Sequence, residues 1–236
     1  MTGLDYAALG VFFTCWLGLE PVLKIISRRR ACITSDMHAV RALWMRQLLR
    51  RNFLLVDAQI LGHTIHSASF FGSANLLVIV GIGGALASAT ESANTGIALD
   101  EARTLLLLAP LLRGLFDFIW SVRQLNYFLA ALGASPFSDN SSALKPWAEA
   151  LSGVLTRALT TFSAGVRNYY FAFAASLWLF GPGALLVGSI GTAMFLIWRQ
   201  TESEAARRIR EFVPLLPSVE ANEPESQATA KESGTP

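Results

Sequence analysis

Long apolar runs separated by short polar stretches dominate this chain. Leu4 to Ile26 forms the first, interrupted by Gly18, Glu20 and Pro21. Its 23 residues would reach about 34 Å as a helix, enough for the ~30 Å hydrocarbon core of a bilayer. From Asp36 to about His66 the pattern is helical but amphipathic, with Val40, Leu43, Trp44, Leu48 and Phe53 among Arg41, Arg46, Arg50 and Arg51. No Gly or Pro occurs before Gly62, which predicts an uninterrupted helix over 36–66. Such a helix lies on a membrane surface or forms a cytoplasmic stalk running straight into the next span. The missing breaker favours the stalk.

A second span is predicted over 67–89, followed by a short loop from Ala89 to Asp100. Leu99 to Leu132 then reads as one long helix spanning at about 104–128, with Pro110 tolerable as a kink. Gly133 to Pro146 is the clearest loop, and helix resumes near Trp147. Tyr169 to Trp198 is a 30-residue hydrophobic stretch, about 45 Å as one helix. It contains Gly181-Pro182-Gly183. Two readings compete: one kinked fourth span, or a hairpin with spans at 162–180 and 184–198. Arg199, Arg207, Arg208 and Arg210 follow closely, and short basic segments are retained in the cytoplasm. Charge therefore favours five spans, with the N-terminus outside and the C-terminus cytoplasmic. Residues 1–212 form a single all-α membrane domain, and 213–236 a tail whose composition predicts disorder.

Composition agrees with this reading. Hydrophobic residues make up 53% and charged residues 15%, with mean hydropathy +0.43, against about 25% charged in a soluble domain. The net charge of +2 hides an asymmetry. Residues 24–51 hold eight Lys or Arg against Asp36 alone, whereas 90–103 hold Glu91, Asp100 and Glu101 against Arg103. The N-terminus has no basic region ahead of its hydrophobic run, so the first segment is expected to be a retained span rather than a cleaved signal. Cys15 and Cys32 read as free thiols.

Charges inside the third span carry the first candidate chemistry. Arg113, Asp117, Trp120 and Gln124 project from one side of a helix, and Arg113 and Asp117, four apart, are placed to pair. Ionisable groups within a bilayer usually face a protein interior or a wet path. This stripe therefore either lines a conduction or substrate path or glues the bundle through a buried ion pair. Glu20, in the first span, is placed to snorkel or to pair with Lys24.

Asn52, Gln59, His63 and His66 form a second stripe at the expected cytoplasmic mouth, with Asp57 on nearly the opposite face. His63 and His66 could share an ion or water chain, but metal ligation needs a further strong ligand. His38 and Asp36 qualify only if the chain folds back. The histidines are also placed to tune gating by protonation or to serve as hydrogen-bonding interface residues. Arg46, Arg50, Arg51, Arg123 and Arg167, with Arg28 to Arg30, define a basic inner face. It sets topology and contacts anionic lipid, or forms a vestibule attracting anions. A bilayer explains these charges without nucleic acid. Gly72, Gly81 and Gly84 of the second span are candidates for close helix or subunit packing. No nucleophile, phosphate-loop, metal or cofactor motif emerges, so no catalytic residue and no cofactor is assigned.

The segments Arg50-Arg51-Asn52, Val56-Asp57-Ala58-Gln59-Ile60-Leu61, Phe116-Asp117-Phe118-Ile119-Trp120-Ser121-Val122-Arg123-Gln124-Leu125-Asn126-Tyr127 and Arg167-Asn168-Tyr169-Tyr170-Phe171 resemble the signature of the bacterial membrane proteins grouped as domain of unknown function 599. The likeness runs from the first span to about Arg210. It adds Asp57, Asn126, Tyr127, Tyr169 and Tyr170 as signature positions, and it implies an integral protein of the bacterial inner membrane. It brings no catalytic or transport role onto these residues.

The expectation is an all-α polytopic bundle acting as a homo-oligomeric channel or transporter for an ion or small polar solute. The surplus of positive groups tilts the substrate toward anions. The alternative is a structural or accessory subunit bound to another membrane complex.

Overall fold

The computed structural model describes residues 3–29, 33–50, 54–92, 97–136 and 141–215. Its helices are α1 (Gly3–Arg29), α2 (Ile33–Arg50), α3 (Leu54–Ser92), α4 (Ile97–Gly133), α5 (Ser141–Ser176), α6 (Pro182–Thr201) and α7 (Glu204–Phe212). Short 3-10 turns follow α5 at Leu177–Phe180 and α7 at Val213–Leu215. Among the described residues there is no strand. Four helical segments, Gly3–Ser27, Leu55–Ala85, Glu101–Gly133 and Pro182–Glu211, are long and apolar enough to cross a membrane. Their outward faces carry large apolar side chains such as Leu77, Val80, Phe116 and Val187, all more than 60% exposed. That is the expected surface of helices solvated by lipid.

Neighbours follow the order α3, α4, α5, α6, α1, with α2 laid across the first half of α5 and touching α7. The most polar of the long helices around the core, α5, thus occupies the centre. Its contact with α4 is made close by small residues. Ala158, Gly165 and Ala172 recur every seventh position on α5 and are buried, facing Gly114 and Ser121 of α4. Ser121 Oγ donates to the Ala158 carbonyl at 2.9 Å. A Cβ on Gly114 would approach Asn168 Cβ to 3.2 Å, and one on Gly165 would lie 2.7 Å from the Phe118 ring.

Several expectations change here. The helix foreseen over 36–66 is two, because α2 ends at Arg50 and α3 begins at Leu54. The stalk running unbroken into the span is therefore replaced by a folded-back α2. Burial explains this: Met45 and Leu48 of α2 pack with Ala148, Leu151 and Leu155 of α5, and apolar contact outweighs the continuity of one helix. The loop expected from Ala89 to Asp100 contracts, since α3 reaches Ser92 and α4 starts at Ile97. Likewise α5 begins at Ser141, ahead of Trp147, with Pro146 inside it. The second span lies at the end of the row, packed chiefly on α4. Gly72 meets Phe118 Cβ at 3.5 Å, but Gly81 and Gly84 have nothing within 4 Å, so neither is a close-packing position within this chain.

Within 169–198 the chain turns back on itself, as the hairpin reading has it, although α5 is not among the four segments apolar enough to cross a membrane. After the 3-10 turn the chain reverses at Gly181, whose φ of +114° an L side chain rarely adopts. Pro182 then opens α6, where its missing N–H has no intrahelical partner to lose. Of the tail, Val213–Leu215 is a helical turn, and the disorder expected beyond it lies outside the described residues.

Two buried apolar clusters divide the molecule. One, with Phe12, Leu106, Phe171, Trp178 and Leu185, joins α1, α4, α5 and α6. The other, with Met45, Leu61, Leu125, Phe128 and Leu151, joins α2, α3, α4 and α5. Near the middle, Phe118 lies 5.6 to 5.9 Å from the rings of Phe71, Phe162 and Tyr169, and the Tyr169 hydroxyl donates to the Phe71 carbonyl at 2.9 Å. At this same level on α4 and α5 the charged groups gather.

Candidate functional site

Three helices supply polar faces by simple periodicity. On α1, Trp16, Glu20, Lys24 and Ser27 fall at steps of four, four and three residues, one side of a helix. On α4, Arg113, Asp117 and Trp120 do the same. On α5, Arg157, Thr160, Thr161, Ala164 and Arg167 share a side. The fold turns these faces toward one cavity of about 350 Å³, with Leu23 and Ile26 of α1 and Gln200 near the end of α6 completing its wall. Trp120 lines it while remaining 52% exposed.

Glu20 is the hub of the charges. It accepts from Arg113 Nη2 at 3.0 Å, and Arg167 Nη2 lies 4.0 Å from the same oxygen. The Arg113 guanidinium also rests 5.6 Å from the centroid of Trp16. Asn168 makes a second link: its Oδ1 accepts from Trp16 Nε1 at 2.7 Å and its Nδ2 donates to Asp117 Oδ2 at 2.9 Å. An indole N–H only donates and a carboxylate only accepts, so both partners fix the same amide orientation. The foreseen i, i+4 ion pair is accordingly corrected. Arg113 takes the carboxylate of α1 instead, and Asp117 is held by an amide, because tertiary packing brings a better-placed acceptor to Arg113 and a better-placed donor to Asp117. Glu20 likewise pairs with Arg113 and not with Lys24.

Four cations, Lys24, Arg113, Arg157 and Arg167, face two carboxylates, Glu20 and Asp117, leaving a formal surplus of two positive charges. Lys24 and Arg157 form no ion pair among the described residues. The hydroxyl protons of Ser27, Thr160 and Thr161 are committed to the backbone carbonyls of Lys24, Thr156 and Arg157. Toward a ligand these lining hydroxyls are therefore left with acceptor capacity only. This arrangement can draw in an anion, surround it with donors and accept hydrogen bonds from hydroxyls attached to it.

Of the foreseen stripe, Arg113, Asp117 and Trp120 meet in the cavity. Gln124 is buried and does not line it. Gln59, His63 and His66 share an exposed face of α3, away from the cavity; Asn52 and Arg51 lie outside the described residues. Asp57, on the other side of α3, is buried and accepts from Trp44 Nε1 at 2.9 Å. Among the described residues no three His, Cys, Asp or Glu side chains gather as metal ligands. Cys15 is a free thiol, and Cys32 is outside the described set.

The described members of the basic inner face have separate partners. Arg46 pairs with Glu149 at 3.5 Å, Arg50 is exposed, and Arg123 donates to the Tyr127 hydroxyl at 2.7 Å beside an exposed Asn126. Among the described residues of that group, Arg167 alone lines the cavity. Tyr170 accepts from Arg199 Nη1 at 2.8 Å. On α2, burial pulls the Arg41 guanidinium below its ordinary value.

Sequence reasoning passed over Trp16, Lys24, Arg157 and Asn168 as site residues, and it gave Glu20 the wrong partner. A signal existed: Trp16, Glu20, Lys24 and Ser27 mark a polar face on an otherwise apolar span.

No curated protein and no solved structure matches the chain. The family described as "Protein of unknown function, DUF599" matches residues 7–205. That match spans all the elements that build the cavity, and the chain belongs to this family of proteins of unknown function.

Proposed function

We propose that the protein is a transport protein of the bacterial inner membrane that takes a small anionic solute into the cavity between α1, α4 and α5. The supporting observation is the cavity itself. Its surplus of positive charge lies on helices of which α1 and α4 are apolar enough to span a bilayer. In this reading α5 is a fifth span, since it runs back against α6 through the reversal at Gly181. The N-terminus is outside and Arg199 to Arg210 are cytoplasmic, consistent with the retention of basic segments. The cavity then opens toward the cytoplasmic ends of α1 and α6. On the other side the Phe12, Phe171 and Trp178 cluster fills the helix contacts, which favours a site that opens alternately over a standing pore. The open face of α3 around Gly81 and Gly84 is the proposed contact with a second copy of the chain.

The Trp16–Asn168–Asp117 chain joins three helices through polar groups, and this favours a second reading, a structural or accessory subunit. Flux measurement on protein reconstituted in liposomes separates the two. Wild-type protein is expected to carry an anion flux that Arg113→Gln and Asp117→Asn alter while helicity is preserved. Equal flux from all three removes the cavity from the path, and no flux from any of them leaves the accessory reading.

A further inference from the structure

Resting on the anion reading of this cavity, we infer that its ligand is a phosphate monoester, with the phosphate held between Lys24 and Arg157 and the esterified group lodged against Trp120. Size argues first. At about 350 Å³ the space falls within the range of about 300–1,000 Å³ typical of sites for small organic molecules, more than a bare halide fills.

Charge argues second. A monoester carries about −1.5 to −2 near neutral pH, which matches the formal surplus of two in the lining. A monocarboxylate would leave one cation uncompensated. The two cations without ion pairs, Lys24 and Arg157, come from different helices and so approach an anion from separate directions. That suits a tetrahedral group with three terminal oxygens better than a planar carboxylate. Arg113 and Arg167 are formally balanced by Glu20 and Asp117, so the surplus of two resides on Lys24 and Arg157.

The rest of the wall fits the organic part. Leu23, Ile26, Ala164 and the Trp120 ring are apolar, and the threonine and serine oxygens offer acceptors to hydroxyl groups of the esterified alcohol. Two sources present this chemistry: a water-soluble phosphate ester, or the headgroup of a monoester phospholipid entering sideways. Sideways entry is geometrically open, because α1 and α4 flank α5 with little direct packing and are joined across it by the Arg113–Glu20 pair.

The test uses the full chain purified in a zwitterionic detergent, with glycerol 3-phosphate, glycerophosphocholine and succinate as soluble probes, read by calorimetry. A parallel arm retains phosphatidic acid or phosphatidylcholine on the protein in native mass spectrometry. The expected result is saturable binding of glycerol 3-phosphate or of phosphatidic acid, weakened about tenfold by Lys24→Gln and by Arg157→Gln, the cost of one charge-assisted contact. Both side chains are exposed and unpaired, so the variants are expected to fold. Binding of the soluble ester identifies a solute source, and binding of phosphatidic acid alone identifies the lipid. Succinate or glycerophosphocholine binding as tightly overturns the monoester inference and leaves the anion site standing. No charge-dependent binding of any probe overturns both, as does binding indifferent to the two substitutions.

Discussion

Arg113 of α4 donates to Glu20 of α1 at 3.0 Å across 93 residues of chain. Each side chain remains about a third exposed, at 36% and 35%, so the pair is neither a surface ornament nor a sealed core contact. Removing the carboxylate leaves two guanidinium groups facing one another without their shared acceptor. Glu20→Gln is expected to lower stability by about 1–3 kcal/mol, between the values for exposed and buried pairs. The same change deletes an internal competitor for anions, so binding of an anionic probe should tighten. Thermal unfolding in detergent together with a titration checks both; unchanged unfolding with weaker binding would contradict the assigned role.

Asn168 holds Trp16 and Asp117 at once. Asn168→Ala leaves an indole N–H and a carboxylate oxygen without their partners, at a cost of about 1–3 kcal/mol. Trp16→Phe removes only one of the two bonds. A double-mutant cycle between positions 16 and 168 should return a coupling of about 0.5–3 kcal/mol. Additive losses would mean the two side chains act independently.

Glycines separate into two groups. Gly165→Ala drives a methyl into the Phe118 ring, which is fully buried among Phe71, Phe162 and Tyr169 and has no room to retreat. Overpacking of this kind costs about 1–3 kcal/mol. Gly84→Ala meets open space and should keep or slightly raise the stability of the isolated chain, since Ala is the better helix former. If α3 is the contact with a second copy, a larger Gly84→Ile change should shift the particle mass without unfolding the chain. Multi-angle light scattering on the two variants reads this, and an unmoved mass removes Gly84 from the contact.

A reporter fused after Trp198 tests topology. Five spans predict a cytoplasmic signal, and an external signal would require α5 to stay out of the bilayer. A second reporter in the segment 137–140 should also read cytoplasmic, because three crossings from an external N-terminus precede it.

The sequence was sufficient for the helical class, for the apolar segments and for the reversal at Gly181-Pro182. These follow from runs of hydrophobes long enough to span a bilayer and from a residue that alone tolerates φ of +114°. The family likeness was legible for the same local reason, since its signatures are contiguous stretches. The partners were not. Periodicity places Arg113 and Asp117 on one side of one helix, but it cannot say that α1 lies beside them and offers Glu20. Nor does it show that α2 folds back, because the break depends on apolar surface that only α5 can cover. Glycines in α3 looked like a packing face by composition, whereas close approach occurs at Gly114 and Gly165, where two helices happen to cross. Local pattern determines what a segment can be; which segments meet depends on the summed burial of all of them, and the cavity exists only at that level.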